Sequence, residues 1–144
     1  MGSIILEQIS SVPLQKINVE GGDVLHAFKP ESDTPFSLGE AYFSFIEADF
    51  IKAWKFHKKM TLNLIVPLGE VRFVFTDGQG SFRQEVIGEN NYARLTVPPC
   101  IWFGFQGTGS KRNIILNLAN MAHSEDEVER KALDSFNFDW NNLI

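Results

Sequence analysis

The sequence predicts an all-β fold, an antiparallel sandwich or barrel that ends in a short C-terminal helix. Turn signals recur at roughly ten-residue spacing, and the segments between them are short and rich in aromatic and β-branched residues. Thirteen Phe and three Trp supply the large side chains that fill the space between two packed sheets or the inside of a small barrel.

In chain order, Gly21-Gly22-Asp23 is a turn that separates a mixed N-terminal segment from a short strand over 24–29. Loop composition fills 30–39, with Pro30, Pro35 and Gly39. Over 40–50, Phe43 and Phe45 alternate with Tyr42, Ser44 and Ile46, as in a strand rich in β-formers. The stretch 51–60 reads as the next strand, and 62–67 is apolar apart from Asn63. Gly69 reads as the turn of a hairpin into Val71, Phe73 and Phe75, and Asp77-Gly78-Gln79-Gly80 as a second hairpin turn into 82–87. Gly88-Glu89-Asn90-Asn91 turns again into a strand over 92–97, which Pro98-Pro99 stop. Strands over 101–105 and 113–119 flank Gly107-Thr108-Gly109. Ser124-Glu125-Asp126-Glu127 has the form of a capping box, so a helix is expected over 124–133. Phe136, Phe138 and Trp140 then alternate with Asn137 and Asp139, a tail packed on the body. The whole chain, 1–144, reads as one domain.

A net charge of −5 argues against a nucleic-acid backbone or an anionic membrane as partner. No apolar run approaches membrane-spanning length, and no positive charge precedes Ile4-Ile5-Leu6, so a soluble protein without a secretion signal is expected. Met1-Gly2-Ser3 looks like an acylation start, but Leu6 stands where Ser or Thr is wanted. Cys100 is the single cysteine. It excludes an intrachain disulfide, fits a reducing cytoplasm, and reads as a small packed side chain rather than a nucleophile. His26, His57 and His123 show no ligand spacing, so neither a metal nor another cofactor is expected. There is no Gly-x-Ser-x-Gly elbow, and no glycine-rich phosphate loop opens a helix.

What remains is a dense set of ionisable groups inside a strand pattern, Ile51-Lys52-Ala53-Trp54-Lys55-Phe56-His57-Lys58-Lys59-Met60. Strict alternation puts Ala53, Lys55 and His57 on one face, and Lys52, Trp54, Phe56 and Lys58 on the other. A Lys and a His on one face, flanked by aromatics, suit an anionic or carbonyl-bearing ligand, since both donate hydrogen bonds and both titrate when desolvated. An edge strand protected by lysines is the plainer reading of the same residues.

Four stretches, Gly22-Asp-Val-Leu-His-Ala-Phe-Lys29, Ile51-Lys-Ala-Trp-Lys-Phe-His-Lys-Lys59, Val97-Pro-Pro-Cys-Ile-Trp-Phe-Gly-Phe105 and 125–140, resemble the dTDP-4-dehydrorhamnose 3,5-epimerase family, in order and over nearly the whole chain. The centre also resembles the dTDP-sugar 3,4-ketoisomerases. The resemblance implies a cupin-type jelly roll (a double-stranded β-helix) without metal. It also implies a homodimer that exchanges strands, and a nucleotide-sugar substrate of the dTDP-rhamnose type used in surface polysaccharide biosynthesis.

The reaction the resemblance implies removes a proton beside a keto group, which calls for a base, a donor to the enolate oxygen and an acid opposite. Aligned on the family's Arg-Gly-Leu-His, Lys52 stands at the Arg and Lys55 at the base His. Phe103 stands at a second His, Leu62 near the enolate lysine and Leu116 near the Tyr acid. Asp134 matches the carboxylate that orients the base, and His57 matches a ketoisomerase His. A free lysine titrates near 10.4, so a neutral Lys55 requires a shift of roughly three units, about 4 kcal/mol, which burial among aromatics can supply. His57 is therefore expected as base, with Lys55 as electrostatic partner and Asp134 as orienting carboxylate. Lys52, Trp54, Asn63, Arg72, Trp102 and Phe103 are expected to bind substrate. The alternative is a cupin that binds a nucleotide sugar or carbohydrate without turning it over.

Overall fold

The computed structural model describes residues 3–30 and 36–141. The Met1-Gly2 start and most of the loop expected around Pro35 lie outside these residues. A single helical turn, α1 (Ile4–Glu7), precedes β1 (Ser10–Pro13), β2 (Lys16–Ile17), β3 (Val24–Leu25), β4 (Glu40–Glu47) and β5 (Ile51–His57). Then come β6 (Leu62–Leu68), β7 (Glu70–Thr76), β8 (Phe82–Gly88), β9 (Ala93–Val97), β10 (Trp102–Gly107), β11 (Arg112–Ala119) and β12 (Val128–Arg130). No helix among the described residues is long and apolar enough to cross a membrane.

Two five-stranded antiparallel sheets face each other, in the orders β1-β9-β6-β11-β4 and β12-β5-β10-β7-β8, and β2 and β3 form a small ribbon. From β4 to β12 successive strands alternate between the two sheets, except β7 and β8. This alternation is that of a double-stranded β-helix, the cupin jelly roll. It also corrects one expectation. The Asp77–Gly80 turn does close a hairpin, with Thr76 opposite Phe82, but Gly69 does not. β6 and β7 lie in different sheets, so Gly69, at φ 82°, carries the chain across the sandwich rather than back along it.

The pleat sorts side chains as the patterns require. Phe73 and Phe75 of β7 point between the sheets with Leu62, Leu64, Leu95, Val97, Ile46 and Ile115 to form the main core. Val74, between them in sequence, points outward beneath a second cluster with Trp54 and Trp140, joined by Phe82, Trp102, Phe136 and Phe138. Full burial of such side chains contributes about 1.5–3 kcal/mol each, so packing is a main hold on the 136–140 segment, joined by a hydrogen bond from Arg72 to the Trp140 carbonyl.

The helix expected over 124–133 is not there. Glu125–Glu127 make one 3-10 turn, Val128–Arg130 extend as β12 against β5, and Leu133–Ser135 make a second 3-10 turn. Ser124 caps nothing, and Glu127 does not reach back to it. The buried Glu127 carboxylate instead accepts hydrogen bonds from the N–H groups of Lys59 and Met60 and from Nδ1 of His57. Cys100 is also not packed; it is exposed at φ 71° in the turn between β9 and β10.

Candidate active site

β5 is irregular where it matters. Opposite β10, Phe103 pairs with Lys55 and Gly104 with Ala53, which leaves Trp54 as an extra residue in a bulge. A Cβ on Gly104 would lie 2.5 Å from the Cβ of Ala53, so only glycine lets the strands meet there. The bulge reverses the alternation upstream, so Lys52, opposite Phe105, lines the outer cleft with Lys55, while Ala53 packs against the outer cluster.

Between the sheets lies a cavity of about 220 Å³ lined by Lys55, His57 and Phe103 from one sheet and by Tyr42, Leu64 and Asn117 from the other, with His123 at its edge. It continues past Ser44, Lys55, Phe103 and Phe105 into an outer cleft of about 400 Å³ whose rim carries Lys52, Arg130 and Lys131. This is the size and mixed lining of a small-molecule site.

His57 is buried, and its Nδ1 lies 2.6 Å from Oε2 of Glu127. Burial, outweighing the pull of Glu127, lowers the imidazole below its ordinary value. Burial alone would raise the Glu127 carboxyl, but the His57 hydrogen bond and the Met60 N–H more than offset it and hold the carboxyl below the usual range. Both directions describe one state: neutral imidazole, Nδ1–H donating to carboxylate, and Nε2 left as an acceptor. Phe103 stacks on the ring, centroids 5.9 Å apart. Such an imidazole has the chemistry to accept a proton.

Lys55 is half-buried on the same wall. Burial and then the nearby Arg130 push its ammonium below its ordinary value. Arg130, its cross-strand neighbour on β12, is itself paired with Glu125, which also accepts from His123. On the facing sheet the Tyr42 hydroxyl accepts a hydrogen bond from Asn117 Nδ2 at 3.0 Å. Lys52 Nζ donates to the Phe45 carbonyl at the mouth.

Of the residues expected from sequence, Lys52, Lys55, His57 and Phe103 are brought together. The others face elsewhere. Trp54, at the border of the outer cleft, turns its ring outward onto Phe136 and Trp140 and donates Nε1–H to the Leu133 carbonyl. Trp102 packs on Phe56 and Phe136 on that same outer side. Arg72 is buried outside the barrel, where it donates to Gln106 and the Trp140 carbonyl and lies over the Phe138 and Trp140 rings. Asn63 donates to the Leu118 carbonyl and accepts from Thr96, one residue out of phase with the cavity-lining Leu62 and Leu64. Asp134 is exposed and hydrogen-bonds neither His57 nor Lys55; the carboxylate on His57 is Glu127. Sequence reasoning missed Glu127, Tyr42 and His123. Glu127 lay hidden inside a capping-box pattern, and Tyr42 was visible only as an inward position of β4. No three His, Cys, Asp or Glu side chains among the described residues converge as a metal site requires.

A jelly roll whose interior holds a carboxylate-bound imidazole beside a lysine has a fold and side chains that suit a sugar isomerase or epimerase, and the comparisons give the class. A dTDP-sugar isomerase from Desulfovibrio desulfuricans G20 is 34% identical over 96% of this chain and 94% of its own, with a TM-score of 0.87. The chain belongs to the dTDP-sugar epimerase and isomerase family of cupins. Two more distant structures share the fold. The sugar 3,4-ketoisomerase QdtA from Thermoanaerobacterium thermosaccharolyticum is 18% identical over 88% of this chain and 90% of its own, TM-score 0.74. NovW, a 4-keto-6-deoxy sugar epimerase from Streptomyces spheroides, is 14% identical over 94% and 76%, TM-score 0.80. No family model and no curated protein matches the chain.

Proposed function

We propose that this protein isomerises or epimerises a dTDP-linked 4-keto-6-deoxy sugar for surface polysaccharide biosynthesis, by abstracting a proton from the carbon beside the keto group. The observation that carries the reading is the buried His57–Glu127 pair, 2.6 Å apart, opening on the cavity. Nε2 of His57 is the base, Glu127 fixes its tautomer and orientation, and Lys55 polarises the keto oxygen. Tyr42, on the opposite wall, is the proton donor that the family alignment left without a place. Lys52 and Arg130 at the rim suit a diphosphate.

The protein acts in the cytoplasm as a homodimer. β4 is a sheet edge, and its outward Phe43 and Phe45 are 64% and 48% exposed, a surface suited to a second copy. Light scattering on the purified chain tests the dimer. The activity is tested by incubation with dTDP-4-keto-6-deoxyglucose in heavy water. Wash-in of deuterium, lost in His57→Asn, is expected. Thermal stabilisation by the sugar nucleotide without wash-in would mean a binding cupin, and neither effect would mean another ligand class.

A further inference from the structure

We propose that Asn117 is a positioning residue for Tyr42: its side-chain amide holds the phenol oxygen as a hydrogen-bond acceptor, so that the phenol's own proton is kept for the bound sugar. The inference rests on the keto-sugar reading above and deepens it.

The orientation follows from a chain of hydrogen bonds with one fixed end. Asn117, on β11, is 2% exposed and lines the inner cavity beside Tyr42. Its Oδ1 accepts the backbone N–H of Asn63 at 3.1 Å. A backbone N–H can only donate, so the amide oxygen must face Asn63 and the NH2 group must face Tyr42. Asn63 is itself held in place, because its side chain donates to the Leu118 carbonyl and accepts from Thr96. Nδ2 of Asn117 therefore donates to the Tyr42 hydroxyl at 3.0 Å, and that hydroxyl makes no other hydrogen bond among the described residues. With its oxygen already accepting, the phenol has its O–H left for a ligand. A carboxylate at position 117 would do the reverse and draw the phenol proton to itself. Tyr42 and His57 stand on β4 and β5, in opposite sheets, so the proton is offered from the wall across from the imidazole.

Every proton has a destination. Nε2 of His57 takes the proton beside the keto group, and the electron pair left behind forms the enolate. Tyr42 gives its proton to the carbon that is reprotonated, and the phenolate that remains keeps the Asn117 N–H. Exchange with water then removes the imidazolium proton and returns one to the phenolate.

The full chain is incubated with dTDP-4-keto-6-deoxyglucose in heavy water, and deuterium wash-in and isomerised sugar are measured separately, by mass spectrometry and by NMR. Asn117→Asp still accepts the Asn63 N–H but presents the phenol with a second acceptor. It should form product about 10²-fold more slowly at unchanged KM, while wash-in through His57 persists. Tyr42→Phe should show the same split. Asn117→Asp added to Tyr42→Phe should then cost nothing further, since the amide acts only through the phenol. If Asn117→Asp does not fold, Asn117→Ser, which drops the donor and keeps an acceptor, is read in the same way. Wild-type product formation by either folded single variant, equal loss of wash-in and product, or a full further loss in the double variant overturns the Asn117 role and leaves the isomerase reading standing. Neither wash-in nor product from the wild type removes both.

Discussion

The two faces of the sheet β12-β5-β10-β7-β8 use the same materials for opposite ends. Each presents a basic side chain among aromatic rings: Lys55 beside Phe103 on the inner face, Arg72 beneath Phe138 and Trp140 on the outer. Outside, the 136–140 segment closes over the rings, and Arg72 gives hydrogen bonds to Gln84, Gln106 and the Trp140 carbonyl. Inside, the cavity stays open and Lys55 Nζ is held by nothing among the described residues. A cation among aromatics is thus a clamp where its donors are taken up by the chain, and elsewhere its donors are left for a ligand.

Substitutions on the two faces should therefore separate folding from chemistry. The largest effect is expected inside: His57→Asn should lower deuterium wash-in by about 10²- to 10⁴-fold, the usual contribution of a positioned base. A folded His57→Asn with undiminished wash-in would place the base elsewhere. On the outer face, Trp140→Ala should cost about 3–5 kcal/mol in urea unfolding, the range for a large buried aromatic, yet leave wash-in per folded molecule unchanged. A loss of turnover at full stability would show that the outer cluster reaches the site. Arg72→Met should cost about 1–3 kcal/mol through its lost hydrogen bonds without raising KM. A raised KM at unchanged stability would restore Arg72 to the substrate.

The smallest effect is in pH. His57 titrates lower in the fold than in the unfolded chain, where it sits near 6.5, so the unfolded state binds more protons in between. The stability it confers is complete above about 6.5 and is lost as pH falls through the folded value. Glu127, also lowered, adds a loss of the same sign further down. Melting temperature should fall on acidification below about 6.5, and less steeply in His57→Asn. An equal slope in both proteins would detach the effect from this pair.

Much of the architecture was legible because it is local. Alternation at Tyr42, Phe43, Ser44 and Phe45 marked a strand, observed as β4, and Asp77-Gly78-Gln79-Gly80 closed a true hairpin. What failed was long-range. Gly69 looks like any hairpin glycine, since the sheet that receives the next strand is set by packing far along the chain. Glu127 reads as a helix cap because its real partners, His57, Lys59 and Met60, lie about 70 residues earlier. The family alignment pointed to Lys55 and His57, which line one cavity, and to Asp134 as the orienting carboxylate, whereas the carboxylate bonded to His57 is Glu127; motif order stands in for spatial proximity only while the backbone follows the same path. The bulge at Trp54 has no signature in sequence, yet it decides that Lys52 and not Ala53 joins Lys55.

The outer cluster also determines what light can report. All three tryptophans, Trp54, Trp102 and Trp140, belong to it, and none lines the inner cavity with its ring. Intrinsic tryptophan emission therefore follows the docking of the 136–140 segment, while a molecule entering between the sheets leaves the spectrum dark unless the sheet itself shifts.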